Sequence, residues 1–270
     1  MIDLDPAPRP QSLMLTFFGV HVLGRDVALS SGCVIEVFER VGVTEEAVRS
    51  TLTRMVNRGL LARHRQGRKM YFGLTPRAVD VLRDGHQRVW NTGAVNRDWR
   101  GQWTLVGFSL PEAWRRQRHD LRSRLTWGGF GPLQNGLWVA PGEVDVAALL
   151  GDLELDAHLR VFRGTVLAPT EVAQVVESAF DTAAIAAGYR AFLERWGDGA
   201  GADGDPVRRQ LLLHTDWLEL VRTDPHLPAE HLPADWPAIR AEELFRGIAR
   251  EVAPAAAEEA ARLLDTIGTG

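Results

Sequence analysis

The sequence lacks several features that would place a chain outside the ordinary class of globular proteins. It has a single cysteine, Cys33, so no internal disulfide can form, and residence in the cytoplasm is the expectation. No apolar run approaches the roughly 20 residues that a membrane-spanning helix needs. The opening residues, MIDLDPAPRPQ, lack the basic and apolar regions of a signal peptide. With 270 residues, 45% of them hydrophobic and 24% charged, the chain is expected to fold as two or three globular domains.

Motifs for phosphate, metal and nucleophilic chemistry are also missing. The chain contains neither GxxxxGK[ST] nor GxGxxG, the glycine-rich loops that hold nucleotide phosphates. Its eight histidines are scattered, and although His226 and His231 flank a proline-rich loop, no third ligand has the spacing of a metal site. We therefore expect no metal, no cofactor and no catalytic residues, so the chain is not expected to be an enzyme.

Acidic residues are missing from one long stretch, which contains no aspartate or glutamate between Glu46 and Asp80. The formal net charge of the whole chain is −4, so this basic stretch is a local feature and not a general bias. A concentration of cations of this kind predicts a polyanionic partner. The cations in the stretch are Arg49, Arg54, Arg58, Arg63, Arg65, Arg68, Lys69 and Arg77.

The same stretch has the pattern of a helix followed by a short hairpin. Thr44 can cap the start of the helix, and Gly59 is suited to end it in a left-handed conformation. Two strands are predicted after it, from Leu60 to Arg65 and from Lys69 to Leu74, with a turn at Gln66-Gly67. One face of the helix is apolar, because its hydrophobic residues recur at spacings of three and four: Val48, Leu52, Met55 and Val56.

A helix with polar and cationic residues opposite an apolar face can enter the major groove of DNA, and a basic hairpin beside it can lie along phosphates. Residues 12–92 are therefore predicted to form a winged helix-turn-helix domain that binds double-stranded DNA. The alternative interpretation is a solvated amphipathic helix beside a surface hairpin. The predicted DNA-binding residues are Arg49, Ser50, Thr53, Arg54 and Asn57 on the helix, with Arg65, Arg68 and Lys69 on the wing.

The remainder of the chain predicts an α+β multidomain protein. Residues 97–168 have the order β-α-β-β-α-β of a ferredoxin-like fold, with a hairpin at Asn135-Gly136. Residues 169–268 are predicted to form a C-terminal α-helical domain. Its last part is expected to be two helices, Ala238 to Val252 and Pro254 to Ile267, because a proline usually ends a helix.

Three stretches, in order, resemble the PaaX-type transcriptional repressors of phenylacetic acid catabolism. They are EEAVRSTLTRMVNRGLL with GRKMYFGLT; WRGQWTLVGFSLPE with LRSRLTWGGFGPLQNGLWVAP; and YRAFLERW with DPHLPAEHLPADW. The resemblance implies a winged-helix DNA-binding domain, a middle domain similar in fold to the CRISPR-associated Cas2 proteins, and a helical C-terminal domain. It also implies a homodimeric repressor that an aryl-coenzyme A or acyl-coenzyme A effector, such as phenylacetyl-CoA, releases from its operator.

Such an effector needs an apolar slot beside cationic residues, and the C-terminal half of the chain is the predicted place for it. The tyrosine and tryptophans at helical spacing there are more typical of a hydrophobic core than of a ligand-binding wall, and both interpretations remain open. The candidate effector-binding residues are Tyr189, Arg190, Trp196, His214 and Trp217.

Two other classes of function remain as alternatives. A Cas2-like metal-dependent nuclease would place an aspartate at the end of its first strand, where this sequence has Ser109, a poor ligand for Mg²⁺. An activator or architectural DNA binder would need no small-molecule effector. The large, aromatic-rich C-terminal half argues against that second alternative.

Overall fold

The computed structural model describes residues 10–90, 93–197, 199 and 204–269. The described residues form a mixed α+β protein with two four-stranded antiparallel sheets. Contacts between residues divide the chain into two compact units. The first contains residues 1–91, 192–219 and 243–270, and the second contains residues 92–191 and 220–242.

The first unit opens with three helices, and a strand lies between the first two. The second helix starts at the N-cap Ser30, whose hydroxyl accepts a hydrogen bond from the Cys33 amide at 3.3 Å. The hydroxyl of Thr75 likewise accepts from the Ala78 amide at 3.2 Å, at the start of the fourth helix. The elements up to residue 90 are α1 (Pro10–His21), β1 (Val27–Ser30), α2 (Ser31–Arg40), α3 (Glu45–Asn57), β2 (Leu61–Gln66), β3 (Lys69–Leu74) and α4 (Pro76–Trp90).

The central part of the chain confirms the predicted β-α-β-β-α-β order, and its strands lie in the sheet order β5-β6-β4-β7. Gly136 has a φ of 77° in the turn between β5 and β6, as expected for the Asn135-Gly136 hairpin. One face of the sheet packs on α5 and α6, and the other packs on α7. The elements are β4 (Trp103–Phe108), α5 (Arg115–Trp127), β5 (Gly131–Gln134), β6 (Leu137–Pro141), α6 (Val146–Leu150), β7 (Leu159–Gly164) and α7 (Val172–Ala179).

The last third of the described chain is helical until its final strand. The helices are α8 (Thr182–Gly197), α9 (Pro206–Thr223) and α10 (Pro237–Leu263), and the strand is β8 (Thr266–Gly268). The expectation of two separate helices after residue 238 was wrong, because α10 runs through Pro254 without a break. Ala256 and Ala260 beyond the proline are buried, so packing holds the helix together where the local signal indicates an end.

The sheet of the first unit contains two strands that the sequence pattern did not predict. Its order is β2-β3-β1-β8, so the hairpin β2-β3 continues into β1 and then into the C-terminal strand β8. Ala28 of β1 pairs with Gly73 of β3 on one side and with Ile267 of β8 on the other. The hairpin β2-β3, which the sequence predicts to be a wing, is thus part of a larger sheet that joins a strand near the start of the described chain to one near its end.

The three-domain division predicted from the sequence (12–92, 97–168 and 169–268) stays a prediction, and residue 92 lies outside the described residues. Among the described residues, no helix is long and apolar enough to cross a membrane.

Candidate nucleic-acid interface

The helix α3 begins and ends at the residues that local chemistry predicts. The Thr44 hydroxyl accepts a hydrogen bond from the Ala47 amide at 3.3 Å, and Glu45 and Glu46 occupy the first turn, where the helix dipole favours carboxylates. At the other end Gly59 has a φ of 66°, and its amide donates to the Val56 carbonyl at 2.9 Å. Both ends of α3 are therefore fixed by local hydrogen bonds.

The inward face of α3 anchors it in the core of the first unit. Val48, Leu52 and Met55 are each at most 2% exposed, and α3 packs against α1 and α2. Val56, which the sequence pattern also placed on this face, is partly buried against the same core. A helix held on one side in this way presents its opposite side in a fixed orientation.

The outward face of α3 is a polar and cationic stripe. Each of the five predicted DNA-binding residues on this helix is exposed: Arg49, Ser50, Thr53, Arg54 and Asn57. They recur at spacings of one, three and four residues, which places them along one side of a helix. We call this set the α3 stripe.

Two arginines of the α3 stripe are held by different partners. A guanidinium nitrogen of Arg54 donates to the hydroxyl of buried Thr51 at 3.1 Å, so the core helps to position that side chain. The Arg49 guanidinium pairs with the Glu45 carboxylate at 2.6 Å, but both side chains are more than half exposed. Exposed pairs of this kind contribute little, so Arg49 can exchange Glu45 for another anion at small cost.

The wing hairpin carries its cations at and near its tip. Arg65, Arg68 and Lys69 are all exposed, and Arg63 on β2 is exposed as well. The turn lies one residue later than predicted, because Gln66 pairs with Lys69 and only Gly67 and Arg68 connect the strands. Arg68 therefore lies at the very tip of the hairpin.

Lys69 has a partner that the sequence did not reveal. Its ammonium nitrogen lies 2.9 Å from a carboxylate oxygen of Asp265, which follows α10, and the Tyr71 hydroxyl donates to the same carboxylate at 3.3 Å. The hydrogen bond from Lys69 lowers the pKa of Asp265, and Asp265 in turn raises the pKa of Lys69. Almost two hundred residues separate the two in sequence, so no local pattern could have indicated this contact.

The five candidate effector residues do not form one cluster within either unit. Tyr189 and Arg190 belong to the second unit, whereas Trp196, His214 and Trp217 belong to the first. Tyr189 is 1% exposed and its hydroxyl donates to the carboxylate of Asp224, and burial raises the pKa of both groups. Arg190 is exposed and lines a small cavity of about 170 Å³ with Trp236.

The three candidates in the first unit differ in their access to solvent-filled space. Trp217 is 1% exposed and stacks on Phe245, with ring centres 4.8 Å apart. Trp196 is 5% exposed and its indole nitrogen donates to the Asp216 carboxylate at 3.0 Å. His214 is only partly buried, and it lines a cavity of about 800 Å³ between α1, α4 and α9.

The end of β4, where a Cas2-like nuclease would hold its metal, carries Ser109. The Ser109 carbonyl lies 3.1 Å from a ring nitrogen of His158, and the serine side chain is exposed. In the part of the chain that the structure describes, no group of three or more histidine, cysteine or acidic side chains is arranged to hold a metal ion.

Comparisons with known proteins agree with this arrangement of elements. Three family models match consecutive parts of the chain: "PaaX-like protein" over residues 9–78, "PaaX protein central Cas2-like domain" over 96–176, and "PaaX-like protein C-terminal domain" over 180–262. The matches define a protein of three parts with a Cas2-like domain at its centre. The chain belongs to the PaaX family of transcriptional repressors.

One curated relative and one solved structure illustrate the similarity. The transcriptional repressor PaaX of Escherichia coli K12 is 27% identical over 260 residues, which cover 91% of this chain and 81% of that protein. A solved structure, the uncharacterized protein Rv0674 from Mycobacterium tuberculosis, aligns with a TM-score of 0.62 at 23% identity. That alignment covers 93% of this chain and 98% of the other, and it supports the fold alone.

Proposed function

We propose that this chain is a DNA-binding transcriptional repressor whose residues 12–92 act as a winged helix-turn-helix domain. The observation that carries the proposal is the α3 stripe, five exposed polar and cationic residues on a helix whose other side is anchored in the core. The basic hairpin β2-β3 follows it directly, and the segment from 47 to 79 contains no acidic residue. A recognition helix and a wing need this combination of rigidity and positive charge.

The residues of the interface would have different roles. Arg49 and Arg54 are suited to donate two hydrogen bonds each to a guanine edge, and Asn57 is suited to an adenine edge. Ser50 and Thr53 are short polar side chains that fit close to bases or phosphates. Arg65, Arg68 and Lys69 are suited to phosphates along the neighbouring backbone, where they add affinity without sequence preference.

In this proposal the repressor is a homodimer that controls aromatic catabolism of the phenylacetate type, and an aryl-CoA or acyl-CoA effector releases it from its operator. Membership in a family of transcriptional repressors supports this proposal. Two copies of α3 would meet successive turns of a pseudo-palindromic operator. The effector must bind the released state more tightly than the DNA-bound state, and a tenfold preference corresponds to about 1.4 kcal/mol.

Replacing Arg54 with alanine tests the DNA-reading role. The probe is a duplex that the protein itself selects from a random pool, compared with the unselected pool. We expect Arg54→Ala to weaken binding to the selected duplex about tenfold or more, since a bidentate base contact contributes about 1–3 kcal/mol of discrimination. Binding to the unselected pool should fall much less.

The matched control is Arg122→Ala, which removes an exposed arginine from α5 in the second unit. This variant should bind both duplexes as the parent protein does. Equal losses on the selected and unselected duplexes by Arg54→Ala would show that Arg54 contributes only charge. Cleavage of either duplex in Mg²⁺ or Mn²⁺ would instead favour the nuclease alternative.

A further inference from the structure

The first unit contains a cavity of about 800 Å³ that the DNA-binding role does not use. Its walls come from α1, α4 and α9, and every residue that lines it lies in the first unit. Its volume falls in the range of sites that bind drug-sized ligands, about 300–1,000 Å³. The lining is mostly apolar, with Leu15, Val20, Leu82 and Leu218 among its residues.

Two glycines leave part of this space open. Gly19 of α1 and Gly85 of α4 both line the cavity. A Cβ atom at Gly19 would meet only a methyl group of Leu82 at 3.5 Å, and a Cβ at Gly85 would meet only one of Leu218 at 3.7 Å. These are ordinary van der Waals distances, so a Cβ atom fits at either position. Because both glycines line the cavity, we expect a larger side chain at either position to fill part of it.

Part of the wall is aromatic. Trp90 at the end of α4 lies 5.7 Å from His214 and 6.3 Å from His86, measured between ring centres. Burial, followed by the charges of His21 and His86, lowers the pKa of His214 to about 4, so its imidazole is neutral near pH 7. A neutral imidazole beside an indole forms a surface suited to a flat aromatic ring.

A buried hydroxyl lines the same cavity. Thr16 of α1 is 6% exposed, and its side-chain oxygen makes no hydrogen bond within the part of the chain that the structure describes. A buried polar group without a partner is costly, and native proteins contain few of them. A ligand carbonyl could accept a hydrogen bond from this hydroxyl. The exposed side chain of Arg83 lines the cavity as well and supplies a positive charge at its opening.

We propose that this cavity binds a small aromatic carbonyl compound, with its ring against Trp90 and His214, its carbonyl at the Thr16 hydroxyl and any anionic part towards Arg83. This assigns the effector site to the winged-helix unit. Among the five effector-binding candidates predicted from the sequence, His214 is the one that lines this cavity. That the bound compound acts as the effector rests on the proposed repressor function.

The position of the cavity suggests how a ligand would affect DNA binding. α1 packs against α4 on the cavity side, and it also packs against α3. A ligand between α1 and α4 would change the position of α1, and α1 supports the inward face of the recognition helix. A shift of α3 relative to the wing would lower the affinity for DNA, which is the linkage that release requires.

The cavity is tested with 1-anilinonaphthalene-8-sulfonate, a dye that has an aromatic body and one anionic group. We expect the dye to bind the full-length protein at one site with enhanced fluorescence. Gly19→Leu and Gly85→Leu, which fill the space from opposite helices, should each weaken binding at least tenfold. The control Gly247→Leu adds the same side chain to an exposed position of α10, where nothing lies within 4 Å, and should bind the dye normally.

The carbonyl assignment is tested with phenylacetyl-CoA in a calorimetric titration. Thr16→Val keeps the shape of the side chain and removes its hydroxyl, so it should weaken phenylacetyl-CoA about fivefold and leave the dye unaffected. Unchanged binding by Thr16→Val, or no binding of phenylacetyl-CoA to the parent protein, would remove the carbonyl assignment.

Dye binding that survives in both cavity-filled variants, or no dye binding at all, would overturn the cavity as a ligand site. DNA binding of the cavity-filled variants, measured without ligand, separates the proposed ligand site from the proposed repressor function. Gly19→Leu and Gly85→Leu should still bind the selected duplex but should no longer be released by phenylacetyl-CoA. If the parent protein does not bind duplex DNA, the repressor function is contradicted, whereas the dye result still tests the cavity as a ligand site.

Discussion

At the scale of single residues, the contact between Lys69 and Asp265 joins the wing to the last part of the described chain. Lys69 is 66% exposed and Asp265 is 38% exposed, so both remain open to solvent and to a polyanion. A phosphate group approaching Lys69 has to compete with this carboxylate. Asp265 therefore both orients the wing lysine and reduces the positive charge that the wing presents.

Asp265→Asn should increase the affinity for duplex DNA. The substitution removes one negative charge beside Lys69 and keeps an oxygen that can accept from Tyr71. Lys69 would then be available to a phosphate, so the slope of log K against log salt concentration should steepen by about one. Fluorescence anisotropy with a labelled duplex at several salt concentrations measures both quantities.

The control for this experiment is Glu243→Gln, which makes the same change of net charge at an exposed position of α10. Twenty residues of helix separate it from the end of α10, a distance of about 30 Å. This variant should show the parent slope. If Asp265→Asn also keeps the parent slope, Asp265 does not withhold Lys69 from DNA.

A second residue-scale prediction concerns His214 and the dependence of stability on pH. The pKa of His214 is lowered to about 4 from 6.5, so the unfolded chain takes up its proton at a higher pH than the folded protein does. Above about pH 6.5 this group does not affect the free energy of unfolding. As the pH falls from 6.5 to about 4, His214 lowers the free energy of unfolding progressively, and below about pH 4 its destabilising effect is complete. The shift corresponds to about 3 kcal/mol.

His214→Phe should make the unfolding free energy less dependent on pH between 6.5 and 4. Phenylalanine keeps a ring beside Trp90 and Phe245 but takes up no proton. The dependence due to His21, whose pKa burial also lowers to about 4, should remain. Urea unfolding at a series of pH values provides the measurement, and an unchanged profile would mean that His214 is protonated equally easily in both states.

At the scale of elements, the parts of the fold that could be predicted are those fixed by local chemistry. In the structure, α3 begins just after Thr44 and ends shortly before Gly59. A side-chain cap and a positive φ act over only a few residues, so local sequence is enough to predict them. Asn135-Gly136 made the central hairpin predictable for the same reason. The exposed residues of the α3 stripe followed from its apolar spacing, since one face of a helix determines the other.

The elements that were missed depend on distant partners. β1 and β8 are four and three residues long, and neither alternates clearly between apolar and polar residues. They form strands because they pair with each other, and Ala28 and Ile267 stand at opposite ends of the chain. The ligand cavity could not be predicted either, since its walls come from three helices that are far apart in sequence.

The end of α3 gives a testable consequence at this scale. Gly59→Ala should destabilise the protein by about 1 kcal/mol, because Gly59 has a φ of 66° and an alanine there meets a steric penalty of about 1–2 kcal/mol. Apart from Gly59 and its chain neighbours, no heavy atom of the described residues lies within 4 Å of the added methyl group, so the effect would come from the backbone alone.

The matched variant is Gly247→Ala in α10, which also has open space around it but has no positive φ. It should stabilise the protein by about 0.5–1 kcal/mol, since alanine favours a helix over glycine. Thermal unfolding of both variants measures the difference. A stable Gly59→Ala protein would show that the end of α3 can adopt another conformation.

At the scale of the whole molecule, charge and apolar surface are distributed unevenly. The formal net charge is −4, yet the cations of the interface lie in one acid-free segment. In the proposed repressor, long-range repulsion from the remaining acids would disfavour random contacts with DNA, while the proposed interface would attract it. The second unit has a different unusual surface, namely exposed apolar side chains on a strand at the edge of its sheet.

Among the strands that the structure describes, β7 pairs only with β4, so within the described residues its outer side carries unpaired backbone groups. Val161 is 47% exposed and Phe162 is 60% exposed, and they point to opposite faces of the sheet. An exposed apolar edge promotes association with another chain. The proposed homodimer would use β7 as its interface, with a second copy of this chain covering the two side chains.

Phe162→Lys should convert the dimer into a monomer. Light scattering of the parent protein is expected to give about 60 kDa, twice the 29.9 kDa of one chain, and the variant should give the mass of a single chain. The charge introduced at the centre of an apolar contact cannot be buried without a partner. Because each monomer holds only one recognition helix, binding to the selected duplex should fall sharply, while binding of one copy to a half-site should persist.

Val81→Lys provides the comparison, since Val81 is 43% exposed on α4 of the other unit and its replacement should leave the mass at the dimer value. A parent protein that is monomeric, or a Phe162→Lys protein that remains dimeric, would show that β7 is not the surface through which two copies associate.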